Sequence, residues 1–143
     1  MILPDVNVLV YAFHGDARDH PTYAAWLNQV VEDGEEFLLP DAVLTGFVRI
    51  VTDRRIYSAP APVAAAMAFA LALRRQAAGL DEAVAVWQRL ERLTVTDRNI
   101  TGKVLPDAYL AAVALSHQAR LATRDAGFGR FPGLRFFDPA TAG

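Results

Sequence analysis

The feature that most constrains the fold is a rhythm. Short apolar runs alternate with longer stretches whose apolar residues recur at helical spacing. Residues 1–5 read as a short strand, and a helix is expected over 6–14. The polar loop HGDARDHP follows, with Pro21 placed to start the next helix. There Tyr23, Trp26, Leu27, Val30 and Val31 fall on one face, and Gly34 ends the element. EFLLP reads as a second short strand. Asp41 can then cap a helix bearing Val43, Leu44, Phe47, Ile50 and Val51 on one side. Beyond the breaker SAPAP, an Ala-rich helix is expected over 62–76, stopped by Gly79. That helix packs either within the monomer or closely against a second subunit. The pattern is weakest over 80–104. DEAVAVWQRLERL reads mostly as helix, the alternative being a strand at 83–86 followed by a helix, and TDRNITGK reads as a loop. Helix signals return in PDAYLAAVALSHQ. RLAT and LRFF are candidate strands joined by the turn-rich RDAGFGRFPG. Short strands alternating with helices argue for an α/β chain with a parallel sheet covered on both faces.

A length of 143 residues suits one domain over 1–143, and 53% hydrophobic with 21% charged residues argues against disorder. The absence of cysteine excludes a disulfide framework and a thiolate zinc site, and favours a reducing compartment, here the cytoplasm. His14, His20 and His117 lack zinc-motif spacing; His14 and His20 are expected at the surface, Trp26 and Trp87 in the core. No basic segment followed by an apolar stretch marks a signal peptide. The longest uncharged run, 56–73, is broken by Pro60 and Pro62 and falls short of the roughly 20 residues of a membrane span. A net charge of −2 gives no global attraction for nucleic acid. Contact with nucleic acid would have to come from local arginines: Arg49, Arg54 and Arg55 at one helix end, or Arg124 and Arg130 on either side of Asp125.

Three acids stand out by position. Asp5 sits inside the apolar opening MILPDVNVLVYAF, where a carboxylate is costly unless something offsets its lost hydration. In open α/β sheets ligands bind at the carboxyl ends of the strands. Asp5 ends the first strand, Asp125 lies just past RLAT, and Asp107 starts the helix leading into RLAT. Each has a structural alternative: a helix cap for Asp5, a favourable charge at a helix start for Asp107, a turn for Asp125. Together, all three at expected carboxyl-edge positions, they point to an acidic metal site, with the structural alternative for each still open. Crowded carboxylates raise at least one pKa until a cation neutralises them. Oxygen ligands without His or Cys select Mg2+ or Mn2+, and the chemistry such a site supports is attack of a metal-activated water on a phosphodiester.

LPDVNVLVYA, LPDAVLTGFVRIVT, LPDAYLAAVA and LATRDAGFGRFPGLRFFDP, in that order, resemble the motifs of PIN-domain proteins, specifically VapC-type toxins of VapBC toxin–antitoxin pairs. The resemblance implies a PIN-like three-layer α/β/α fold with a short central parallel sheet. It implies a ribonuclease dependent on Mg2+ (or Mn2+), acting on tRNA or rRNA. It also implies a homodimer and a small VapB-type antitoxin whose C-terminal segment fills the active site. By motif position Asp5, Asp107 and Asp125 match the family's acids. Asn7 matches the polar residue after the first acid, and Thr123 the hydroxyl before the last. Arg49 and Arg124 are candidates for RNA or antitoxin contact.

Two positions depart from that pattern. Gly46 stands where many relatives carry a glutamate, and Gly127 where a second aspartate is common. Asp41 is a candidate substitute, through a metal or water bridge, unless it only caps its helix. Asp53 is about 10 Å along the axis from Gly46, too far to serve. Gly46 keeps a second reading open: a catalytically weak PIN fold acting by binding RNA or antitoxin. A haloacid-dehalogenase-type phosphatase would need an aspartate where Asn7 stands. A receiver domain would need an acidic pair and a late lysine, and the only lysine is Lys103, ahead of the PDAYLAAVALSHQ helix.

Overall fold

The computed structural model describes residues 1–79 and 84–141. Its sheet has three parallel strands in chain order: β1 (Ile2–Pro4), β2 (Arg120–Ala122) and β3 (Phe136–Phe137). Leu3 pairs with Leu121, and Pro4 with Ala122. Every residue of β1 is buried. A strand shielded on both faces has no solvent side to mark with polar residues, which is why the opening reads as a continuous apolar run.

The helices are α1 (Val6–Phe13), α2 (His20–Glu32), α3 (Asp41–Val51), α4 (Val63–Gln76), α5 (Val84–Thr96) and α6 (Leu105–Ser116). They form two sets, in keeping with an α/β/α layering. In one, α1 packs on α2 and α3, and α3 on α4; in the other, α5 packs on α6, which also meets β2. Aromatic contacts tie the first set. Phe13 of α1, Phe47 of α3 and Phe69 of α4 meet pairwise with ring centroids 5.0–5.3 Å apart. α6 buries Ala108, Leu110, Ala111, Ala112, Val113 and Ala114, so it is apolar nearly all round. Small side chains let this central helix approach its neighbours closely. Among the described residues, no helix is long and apolar enough to cross a membrane.

Several local expectations are corrected. EFLLP is not a strand but a single bridging residue. Phe37 pairs in parallel with Ile2 on one side and Ala77 on the other. The ladder stops there because Pro40, which has no N–H to give, already starts the turn into α3. Pro40 is also the N-cap of α3, and Asp41 is the first helical residue, without a side-chain cap bond. His14 is buried, not exposed. Its ring stacks on Tyr57 at 3.9 Å, Nε2 meets the Ala59 carbonyl at 3.0 Å, and Nδ1 accepts from the Asp16 amide. His20 is half-buried, with Nδ1 2.8 Å from the Tyr11 carbonyl. Trp26 packs against the core as expected, whereas Trp87 is 62% exposed on α5. Of the alternative strand at 83–86, residue 83 lies outside the described residues and the rest is helical.

Candidate active site

The parallel ladder brings the first and third acids together. Pairing of β1 with β2 continues one step past Pro4, where the Asp5 amide donates to the Ala122 carbonyl at 2.8 Å. Asp5 therefore lies beside Thr123, the residue that follows β2. Asp5 is the N-cap of α1, with Oδ1 accepting from the Val6 amide at 2.7 Å. Its other oxygen accepts from the Thr123 hydroxyl at 2.8 Å and from Asn7 Nδ2 at 3.3 Å. Thr123 is 1% exposed, and its Oγ1 in turn accepts from the Asp125 amide at 3.0 Å. One buried hydroxyl thus connects Asp5 to Asp125. Asn7 adds a second tie, since its Oδ1 accepts from the Arg124 amide at 3.4 Å.

Asp125 caps the 3-10 turn Ala126–Arg130 and accepts from the Gly127 amide at 2.7 Å. A Cβ at Gly127 would come within 2.9 Å of Asp125 Oδ1. The glycine thus allows the last acid to fold back over its own turn.

Asp107 is in the first turn of α6, half-buried, and has no hydrogen bond or ion pair among the described residues. Burial raises its pKa, the negative charges of Asp5 and Asp125 raise it further, and Arg130 opposes them. Asp5 is also raised, chiefly by burial, with Asp125 adding to the effect against the bonds from Thr123 and Val6. The three carboxyls therefore share one electrostatic environment. Two are already held in place, and the third is unpaired.

Among the described residues, no three His, Cys, Asp or Glu side chains form a ready-made metal cage. The donor set nonetheless fits a small hard cation. It is all oxygen, and its mutual repulsion is relieved by positive charge. Mg2+ keeps several waters and takes only one or two carboxylates with substrate phosphate.

The remaining candidates lie apart from this group. Asp41 is exposed and its carboxylate faces Arg74 Nε at 3.4 Å, away from the bonds that join Asp5, Thr123 and Asp125. Arg49 is exposed on the last turn of α3, where it acts on Asp53, which is bound by Arg55 at 3.2 Å. Arg124 is engaged by Asp19 at 3.1 Å and lies over the Tyr11 ring, 5.7 Å from its centroid. Gly46 is the informative departure. A Cβ there would meet Val6 Cγ2 at 3.2 Å, so position 46 abuts the residue next to Asp5. Sequence reasoning gave Arg130 only a flanking place, although it is the cation that acts on Asp107. Its signal is its position at the far end of the turn that Asp125 begins.

The chain belongs to the PIN domain family, whose pattern it matches over residues 2–134. It is similar to the VapC ribonuclease Mb2897 of Mycobacterium bovis, at 40% identity over 97% of this chain and 95% of that protein. Ribonuclease VapC25 of Mycobacterium tuberculosis is 34% identical over 97% of this chain and 99% of its own length. Among solved structures, VapBC2 from Rickettsia felis, bound to a DNA fragment from its promoter, aligns with a TM-score of 0.68 at 17% identity, covering 96% of this chain and 98% of that one. FitAcB from Neisseria gonorrhoeae aligns at 0.64 and 22%, covering 97% and 98%. At these identities the two structures speak for the fold.

Proposed function

We propose that the protein is a VapC-type endoribonuclease dependent on Mg2+ or Mn2+, the toxin of a toxin–antitoxin pair, acting in the cytoplasm. The observation that carries this reading is the Thr123 hydroxyl bonded to both Asp5 and Asp125, beside an unpaired Asp107 that feels both charges. The nearly full-length similarity to proteins named as VapC ribonucleases supports it.

Asp5, Asp107 and Asp125 would hold the ion. A bound divalent cation supplies an activated water and neutralises charge on the phosphodiester. The chain's own residues prepare that site. Val6, Thr123 and Asn7 fix the rotamer of Asp5, so its carboxylate needs no reordering on binding. Thr123 holds the backbone from which Asp125 projects. Asp107, without a hydrogen-bond or ion-pair partner among the described residues, is open to a new ligand; burial first, and the charges of Asp5 and Asp125 second, raise its pKa, and a cation would relieve the second of these. The burial of Thr123 keeps water from competing for the hydroxyl.

The partners follow from the same reading: a structured RNA such as tRNA or rRNA, a small VapB-type antitoxin, and a second copy of the chain. Support for the homodimer comes from α4, where Val63, Met67 and Leu71 recur every four residues and are 59%, 41% and 42% exposed. Gly46 favours the weaker alternative, a fold that binds RNA or antitoxin with little catalysis. The test is Mn2+-dependent cleavage of a tRNA and rRNA panel by antitoxin-free protein, with Asp5→Asn beside it. Cleavage by the wild type alone is expected. Equal nicking by both proteins would reject the enzymatic reading.

A further inference from the structure

A cleft of about 300 Å3 opens between α5 and the turn 126–130, lined by Arg89, Arg92, Thr96, Asp97, Arg130 and Pro132. Its apolar floor includes Leu93, Ile100 and Phe131, all buried. We propose that this cleft seats a backbone phosphate of the RNA strand, held by Arg89 and Arg92, with Arg130 between that phosphate and the acidic rim. The proposal rests on the ribonuclease reading and gives it a path for the substrate.

The charge balance favours an anion. Three guanidinium groups face one carboxylate, and that carboxylate is already engaged. Asp97 accepts from Arg130 Nη2 at 3.1 Å, from its Nε at 3.4 Å, and from the Asn99 amide at 2.9 Å. Among the residues that line the cleft, none is left to neutralise Arg89 and Arg92. The cleft is therefore a local positive site on a chain whose net charge is −2.

Arg89 also carries an unmet donor. Its Nε is shut off from solvent and has no hydrogen-bond partner among the described residues. A buried donor left in that state is costly, the more so on a charged group. An anionic oxygen entering the cleft would remove that cost once the Arg89 side chain turns its Nε into the opening. Guanidinium groups suit phosphate because their planar donors can bind two oxygens at once.

The cleft is also close to the acids. The 3-10 turn starts at its cap, Asp125, and ends at Arg130. Five residues at about 2.0 Å rise span about 10 Å. Arg130 also acts on Asp107. A strand approaching three carboxylates is repelled unless positive charge lies close by, and this cleft supplies such charge at the end of the turn that Asp125 begins.

Binding can be read apart from cleavage. Metal-free protein is titrated into a fluorescein-labelled single-stranded oligoribonucleotide, and anisotropy is followed between about 50 and 200 mM salt. The double variant R89Q/R92Q is expected to bind about tenfold more weakly at low salt. Its slope of log affinity against log salt should be shallower by about 0.7 for each phosphate that is no longer neutralised. R89K/R92K should keep the wild-type slope, because the charge is retained. If R89Q lowers the melting temperature, R92Q alone carries the test, since Arg92 is exposed; a slope reduced by about 0.7 is then expected. Unchanged affinity and slope would overturn the proposal. So would a loss confined to binding of an acidic antitoxin peptide, which would make the cleft a protein-docking site. An arginine-dependent RNA binder that never cuts with Mn2+ would overturn the ribonuclease reading and leave the phosphate seat standing.

Discussion

Thr123 and Asp107 occupy opposite ends of the same design. Thr123 Oγ1 donates to Asp5 and accepts from the Asp125 amide and, at 3.5 Å, from Asn7 Nδ2, while Asp107 has no hydrogen-bond or ion-pair partner among the described residues. Thr123→Val keeps the shape and removes all three bonds. It leaves a buried carboxylate oxygen and an amide short of a partner, so a loss of about 1–3 kcal/mol is expected in chemical denaturation, along with reduced cleavage. Asp107→Asn should do the reverse to the metal-free protein, preserving or raising its melting temperature while abolishing cleavage. A drop of several degrees would make Asp107 a structural residue. The pH dependence follows with a definite sign. Folding raises the pKa of Asp5 and Asp107, so each keeps its proton to higher pH in the folded chain than in the unfolded one. Their stabilising contribution is complete below the unfolded value of about 3.9 and disappears as pH rises through the folded values. Melting of the metal-free protein should show this decline towards neutral pH, and Asp107→Asn should flatten it. The positions of the three acids were legible because strand ends and helix starts are marked by local pattern. The burial of His14 was not, because the Tyr57 ring that stacks on it belongs to a distant stretch of chain.

α3 shows how far an element can be read from its own residues. The apolar spacing of Val43, Leu44, Phe47, Ile50 and Val51 announced the buried face; four of the five are buried and Ile50 is half-buried. The strand before it was misread because EFLLP is apolar enough for a strand, yet Pro40 ends the pairing after Phe37. The exposure of Trp87 was equally hidden, since hydrophobicity alone does not say which face of α5 meets α6. Phe47 joins α1 and α4 through its ring contacts with Phe13 and Phe69. Phe47→Ala should therefore cost about 3–5 kcal/mol, measured by denaturant unfolding. Gly46, one residue earlier, faces Val6 at the root of the acidic site. Gly46→Glu requires Val6 to yield a few tenths of an ångström and places a carboxylate against the residue next to Asp5. Tighter Mn2+ binding by calorimetry is expected, and unchanged or weaker binding would show that the glycine is not a missing ligand.

On the scale of the whole molecule, two helical sets lie about a short parallel sheet, and chain order equals strand order. That topology places the ends of β1 and β2 together and sets the start of α6 beside them. The alternation of short strands and helices made the class readable, whereas the interior fit of α5 and the basic cleft beneath it depended on tertiary packing. The exposed row on α4 belongs to this scale. In the proposed homodimer Val63, Met67 and Leu71 are covered, so Met67→Glu should shift the sedimentation profile towards monomer. A dimer that persists unchanged would place the interface on another face.

Anomalous diffraction from a crystal of the protein soaked in Mn2+ would look at the acidic site itself. A peak is expected within coordination or single-water distance of Asp5, Asp107 and Asp125, and it should disappear in Asp107→Asn. Full Mn2+ occupancy elsewhere on the protein, with no peak among these three carboxylates, would contradict a metal-dependent active site.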